Sequence, residues 1–210
     1  MASRKLTRVQ NLRSDEQGAA LVEFTFIAVL LFTLLFGIVE FGLAFRDRLT
    51  VANATQTAAR VGSALGDDIR ADWEVLQSLK QSLQTLPNSG IGVVRYVDIY
   101  EADSDGDPKT TCPGGDCNRY LYDASLACGW NPCPDPDNFV SLGGGWAADD
   151  VDRDVVLPNL DVMGVRVTFA HDWVTGGLVP LPNVDCDGLP GSGCWEDVAI
   201  MRLEPQRFGS

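Results

Sequence analysis

Apolar residues run almost without interruption from Ala19 to Phe45, and the charged positions inside that run are Glu23 and Glu40. A helix over this stretch would be about 40 Å long, more than the roughly 30 Å hydrocarbon core of a bilayer. Its Leu, Ile, Val and Phe residues contribute roughly −5 to −10 kcal/mol toward insertion, against about +2.5 to +3.5 kcal/mol for one mid-membrane acid. The segment is therefore expected to be a transmembrane helix that tolerates Glu23. An acid within a span still points to function. Glu40, nearer the far end, is expected to be a solvated interfacial acid, and Glu23 alone could snorkel to the near interface.

The helical pattern continues past the span. Val51, Ala54, Ala58, Val61 and Leu65 form a narrow apolar stripe in "RDRLTVANATQTAARVGSAL", with Gly66 as the stop. A second amphipathic helix is predicted in "DDIRADWEVLQSLKQSLQTLP". Its apolar face would be Ile69, Trp73, Leu76, Leu79, Leu83 and Leu86, its cap Asp67 or Asp68, and its end Pro87.

The period then changes to two. "IGVVRYVDIY" alternates Ile91, Val93, Val97 and Ile99 against Val94, Tyr96 and Tyr100, and is read as a strand. "DVMGVRVTFAHDW" and "EDVAIMRLEP" are read as two more. A long irregular insert separates the first two, roughly from Ala102 to Asp154, and a shorter one follows Trp173. Three or four strands need a helix against one face to bury their apolar side chains. The expected fold is α+β. A long transmembrane helix continues into a pilin-like helix, followed by a second amphipathic helix and a small antiparallel sheet with disulfide-closed loops. The expected division is a cytoplasmic basic leader (1–18), a transmembrane helix (19–45), extracytoplasmic helices (46–86) and a cysteine-containing β-rich ectodomain (87–210).

Charge sets the expected orientation. Arg4, Lys5, Arg8 and Arg13 outnumber Asp15 and Glu16 before the span, while the chain as a whole carries −13. The positive-inside tendency puts the N-terminus in the cytoplasm and the acidic domain outside, as a single-pass protein of the cytoplasmic (inner) membrane. An acidic ectodomain also argues against a nucleic-acid partner. All six cysteines (Cys112, Cys117, Cys128, Cys133, Cys186 and Cys194) follow the span, as disulfides in an exported domain would. The rival, a zinc site on the first four, would favour tighter C-x2-C pairs.

"QGAALVEF" resembles the processing site of type IV pilin-like precursors of the tight-adherence (Tad) class: a Gly, four residues, then Glu and an aromatic. Here these are Gly18, Ala19 to Val22, Glu23 and Phe24. The resemblance extends through "GIVEFG" and "ANATQTAARVG" and, more loosely, into "VDIY" and "AIMRLEP". Together these are similar to the TadE-like family of minor pseudopilins. The cysteine-rich insert has no counterpart in it.

The resemblance implies chemistry done to this chain. A membrane prepilin peptidase would cut between Gly18 and Ala19, and the product would join other pilin or pseudopilin subunits on a pilus assembly platform, possessing a role in assembly or at the tip of an adhesive pilus. Glu23 and Phe24 would then mark assembly and register. The main alternative is an uncleaved membrane anchor displaying a disulfide-rich binding domain. A third is a secreted calcium-dependent module released after "VANA" at Ala54, although the apolar run is long for a signal peptide.

Two further motifs are weaker. Asp103, Asp105 and Asp107 alternate as calcium ligands do, but Pro108 stands where such a loop needs Gly, so solvated turn acids are the plainer expectation. The cluster Asp149, Asp150, Asp152 and Asp154 is weaker still. His171, the single histidine, neighbours Asp172, yet no G-x-S-x-G elbow accompanies it. The chain is expected to be neither an enzyme nor dependent on a cofactor, calcium being the one candidate ligand.

Overall fold

The computed structural model describes residues 4–86, 90–123, 138–171 and 194–206, with side chains from Gly18 onward. Helix α1 spans Arg4–Leu65 and α2 spans Ala71–Leu83. Five strands follow: β1 (Val94–Glu101), β2 (Cys117–Tyr122), β3 (Phe139–Gly143), β4 (Val162–Ala170) and β5 (Cys194–Arg202). They form one antiparallel sheet in the order β3-β2-β1-β4-β5. The chain divides into two compact units, one holding α1 up to Leu43 and one built on residues from Ala44 onward.

In the first unit α1 is sheathed in grease. Among Leu, Ile, Val and Phe between Ala19 and Phe45, all but Leu43 are exposed. The hydroxyls of Thr25 and Thr33 donate to the carbonyls of Leu21 and Val29 at 2.8 Å, so neither needs water. This one N-terminal helix is long and apolar enough to cross a membrane.

In the second unit, small residues let the later part of α1 lie close on its neighbours. Val51, Ala54, Ala58 and Ala59 share one buried cluster with Val75, Leu76, Leu79 and Leu83 of α2, and with Val97, Ile99, Val165, Val167 and Phe169 of the sheet. At Gly62 an added Cβ would lie 2.5 Å from Met163 Sδ and 2.8 Å from Val75 Cγ2, which explains the glycine. The expected stop at Gly66 is observed: its φ is +57°, and its N–H donates to Gly62 O at 2.9 Å. The chain end is tied to the same helix. Ser63 Oγ donates to Arg202 O at 2.6 Å, and the Glu204 N–H donates to Ser63 O at 2.9 Å.

Three sequence expectations need correction. The sheet has five strands, because the first insert supplies β2 and β3, on the far side of β1 from β4. Helix α2 starts at Ala71 with no side-chain cap. Asp68 instead accepts the Arg70 N–H in a tight turn at 2.8 Å. That turn leaves Ile69 82% exposed, and Val75 takes its place on the buried face. Finally, β1 begins at Val94, after a 3₁₀ turn over Gly90–Val93.

The outward face of the sheet is partly covered too. The β1–β2 loop folds back over it, so that Tyr100, Ala102 and Cys117 form a second small apolar cluster. Tyr100 Oη donates to Gly106 O at 3.0 Å, and Gly106, at φ +91°, sits against Ile200 of β5. A disulfide between Cys112 and Cys117 closes this loop, and Cys194 is also disulfide-bonded. Cys128, Cys133 and Cys186 lie outside the described residues.

The Tyr100 ring lies across Gly164 of β4, where an added Cβ would come within 2.3 Å of it. Tyr100 is fully buried, and its hydroxyl is held by Gly106 O. Gly164→Ala is therefore expected to destabilise the ectodomain by about 1–3 kcal/mol, the usual cost of overpacking. Thermal unfolding of the full chain in detergent measures it. Gly37→Ala, where nothing lies within 4 Å of the added carbon, serves as the neutral comparison.

Candidate processing and assembly site

Gly18, Ala19, Glu23 and Phe24 all lie in α1, and the helix runs unbroken through the Gly18–Ala19 bond. All four are exposed. Among the described residues nothing lies within 4 Å of a Cβ added at Gly18, so packing does not explain this glycine. Its physical consequence is local: glycine in a helix interior costs about 1 kcal/mol relative to alanine, which weakens the turn that contains the bond. Glu23 is four residues beyond Ala19, about 6 Å along the axis and on nearly the same face.

Glu40 differs from its expected state. It is 1% exposed, not a solvated interfacial acid.

Of the candidate calcium acids, Asp103 turns inward on its own loop. Its Oδ1 accepts the N–H groups of Asp105 and Asp107 at 2.9 and 3.0 Å. Asp107 lies 3.5 Å from Arg166 on the sheet. Nearby, Glu101 pairs with Lys109, and burial followed by the neighbouring Glu101 carboxyl raises the Asp161 carboxyl above the usual range. Asp98 lies close to both Cys112 and Cys117. The two sulfurs are bonded to each other, and Arg119 grips Asp98 through two hydrogen bonds of 2.7 and 2.9 Å. That chemistry is a closed loop beside a buried ion pair.

His171 pairs with a residue that sequence proximity did not indicate. Its Nδ1 lies 2.8 Å from Asp47 Oδ2 in α1, and its ring stacks on Trp195 with an interplanar angle of 9°. At 4% exposure it ties β4 to α1.

A further polar cluster was not legible in the sequence at all. Arg153 Nη2 donates to Asp72 Oδ1 at 2.5 Å, and its guanidinium lies 4.2 Å from the Trp146 ring centroid. Tyr120 Oη and Asn118 Nδ2 donate to Asp72 Oδ2 at 2.6 and 3.0 Å. Burial and the adjacent Asp72 carboxylate push the Tyr120 hydroxyl far above its ordinary pKa. The cluster joins α2, β2 and the loop before β4.

The exposed Gly18–Glu23–Phe24 segment, the apolar sheath beyond it and the packed Ala-rich end of the same helix form one continuous pattern. Residues 18–60 match the model of the TadE-like protein family. The TadE-like segment begins at Gly18 itself and ends at Arg60, within the part of α1 that packs on the sheet. It supports a Tad pilus-related protein with one N-terminal apolar helix. No curated protein and no solved structure matches the chain.

Proposed function

We propose that this chain is the precursor of a minor pseudopilin. A membrane prepilin peptidase cleaves it after Gly18 on the cytoplasmic side of the inner membrane, and the product takes part in assembling or tipping a Tad-type adhesive pilus. The observation that carries this reading is the TadE-like match starting at Gly18, with Glu23 and Phe24 following at precursor spacing in an exposed helix. Glycine lets the backbone approach a protease closely and lowers the cost of unwinding α1 there. Cleavage leaves Ala19 as a free ammonium four residues from Glu23. The exposed sheath then suits lipid first and the helices of neighbouring pilin or pseudopilin subunits afterwards.

Mass spectrometry of the N-terminus tests the reading. Co-expressed with the peptidase, the chain is expected to start at Ala19, and Gly18→Val is expected to stay full-length because a branched side chain obstructs the cut. A mature start at Met1 or Ala2 supports the uncleaved anchor instead, and a start at Thr55 supports a secreted module. Normal maturation of Gly18→Val sinks the proposed site.

A further inference from the structure

Residues 154–161 leave the buried Arg153 and return to β4 as a closed loop. The Asp154 N–H donates to Asp161 Oδ2 at 2.7 Å, and the Asp161 N–H donates to Asp154 O at 2.9 Å. Val155 of this loop is 2% exposed and lies against the Gly66 turn. The chain end after β5 is held on the same loop. The Leu203 N–H donates to Asp161 O at 2.9 Å, the Gln206 N–H to Val155 O at 3.2 Å, and Arg202 Nη2 to Pro158 O at 3.2 Å. Asp161 therefore joins the loop, the start of β4 and the segment after β5.

A side-chain contact ties this loop to β1. Glu101 pairs directly with Met163, and the Ala102 N–H donates to Val162 O at 2.7 Å. Asp161, two residues before Met163, is thus the diagonal cross-strand neighbour of Glu101 on the same face. The two carboxyls are hydrogen-bonded to each other. Neither is open to water: the Glu101 side chain is 16% exposed, and Asp161 is half-buried. A carboxyl donates only when it carries a proton, and two carboxylates at that range repel. Lys109 pairs with Glu101, but it supplies one positive charge against two negative ones. The other charged groups here do not make up the difference. Asp116 acts on Lys109, Asp154 belongs to the loop itself, and Arg202 is turned to Pro158 O.

We propose that Glu101 and Asp161 form a proton-bridged clasp, which fastens residues 154–161 to β1 in mildly acidic medium and releases them as pH rises. The proton lies between the two carboxyls, while Lys109 holds Glu101 and the Asp154 N–H holds Asp161. Burial, and then the Glu101 carboxyl, raise the Asp161 carboxyl above its ordinary value, and the Asp154 N–H only partly offsets them. Asp161 is therefore easier to protonate in the folded chain than in the unfolded one. Its contribution to stability is complete at low pH and is lost as pH rises through the folded value. Opening the loop frees Val155 from the Gly66 turn and the chain end from Asp161, so the proton sets how firmly this end of the fold is closed. The clasp uses only these side chains and stands whether or not the chain is cleaved after Gly18.

The test is amide hydrogen exchange on the full chain in detergent with EDTA, from about pH 5 to about pH 8, corrected for intrinsic exchange. In the parent, the opening constants at the Asp154 and Leu203 amides are expected to rise at least about threefold across that range. Asp161→Asn keeps an acceptor for the Asp154 N–H and donates to Glu101 without needing a bound proton, so its constants are expected to be flat. Glu101→Gln donates to Asp161 instead and is expected to be flat too. Carboxyl-carbon NMR of the parent needs no variant: Asp161 is expected to titrate above the ordinary aspartate value of about 3.9. A parent whose exchange is independent of pH overturns the proposal. So does a rise that either variant keeps, as general repulsion in a chain of net charge −13 would give, or an Asp161 that titrates at the ordinary value.

Discussion

Arg153→Met is expected to destabilise the ectodomain by about 3–5 kcal/mol, the usual result of removing one partner from a buried ion pair. Asp72 is 4% exposed, and without the guanidinium it keeps a charge in a site that water cannot reach. Tyr120 and Asn118 still donate to it, which moderates the loss without replacing a counter-charge. The methionine also forfeits the stacking on Trp146 and the Arg153 hydrogen bond to Gly66 O at 3.4 Å. For a chain of this size the midpoint of thermal unfolding is expected to fall by roughly 10–15 °C. Asp72→Asn leaves Arg153 buried and uncompensated, and is expected to cost a similar amount. The double variant is expected to cost clearly less than the two singles added, because each single already loses the same pair. A drop below about 1 kcal/mol for either single change, measured by urea or thermal melts in one detergent, means that this cluster does not hold α2 and the loop to the sheet.

The same cluster shows where sequence reading stops. The apolar span was legible from its unbroken run of Leu, Ile, Val and Phe, the stop at Gly66 from the glycine itself, and most of the face of α2 and of strands β1, β4 and β5 from apolar positions recurring at helix or strand period. Strand β2 was not. Its inward positions are Asn118 and Tyr120, and Asn118 is buried only because Asp72 and Trp146 O, 46 and 28 residues away in sequence, receive its amide. No local pattern announces such a partner. Strand β3 is five residues long and runs into Gly143, Gly144 and Gly145, so its composition reads as loop. The pairing of His171 with Asp47 was hidden for the same reason, since it depends on long-range placement. The candidate processing site rests on consecutive residues, Gly18 to Phe24, and the structure adds only that they are exposed and lie in one helix.

Glu23→Gln is expected to insert in the membrane at least as well as the parent, since it removes a charge from the span. It is also expected to fail in promoting filaments. In the proposed mature chain, Ala19 carries a free ammonium and Glu23 a carboxylate about one turn further along α1. A neighbour displaced by roughly that turn sets its ammonium against this carboxylate, and each charge lowers the other's cost in a medium without water. Glutamine keeps the shape and an acceptor but not the charge. The loss is expected to be about 3–5 kcal/mol, or some two to three orders of magnitude in association. Glu40 cannot serve as the neutral control, because at 1% exposure its own substitution disturbs packing. Glu23→Asp is the better comparison: it keeps the charge on a shorter stem and is expected to retain part of the activity. N-terminal processing, membrane level and pilus number must be scored separately for each variant, because the acid could instead act at the cleavage step. If Glu23→Gln is cleaved after Gly18, reaches the parent's level and supports as many pili, then Glu23 does not set register, and an exposed acid snorkelling at the membrane surface accounts for it.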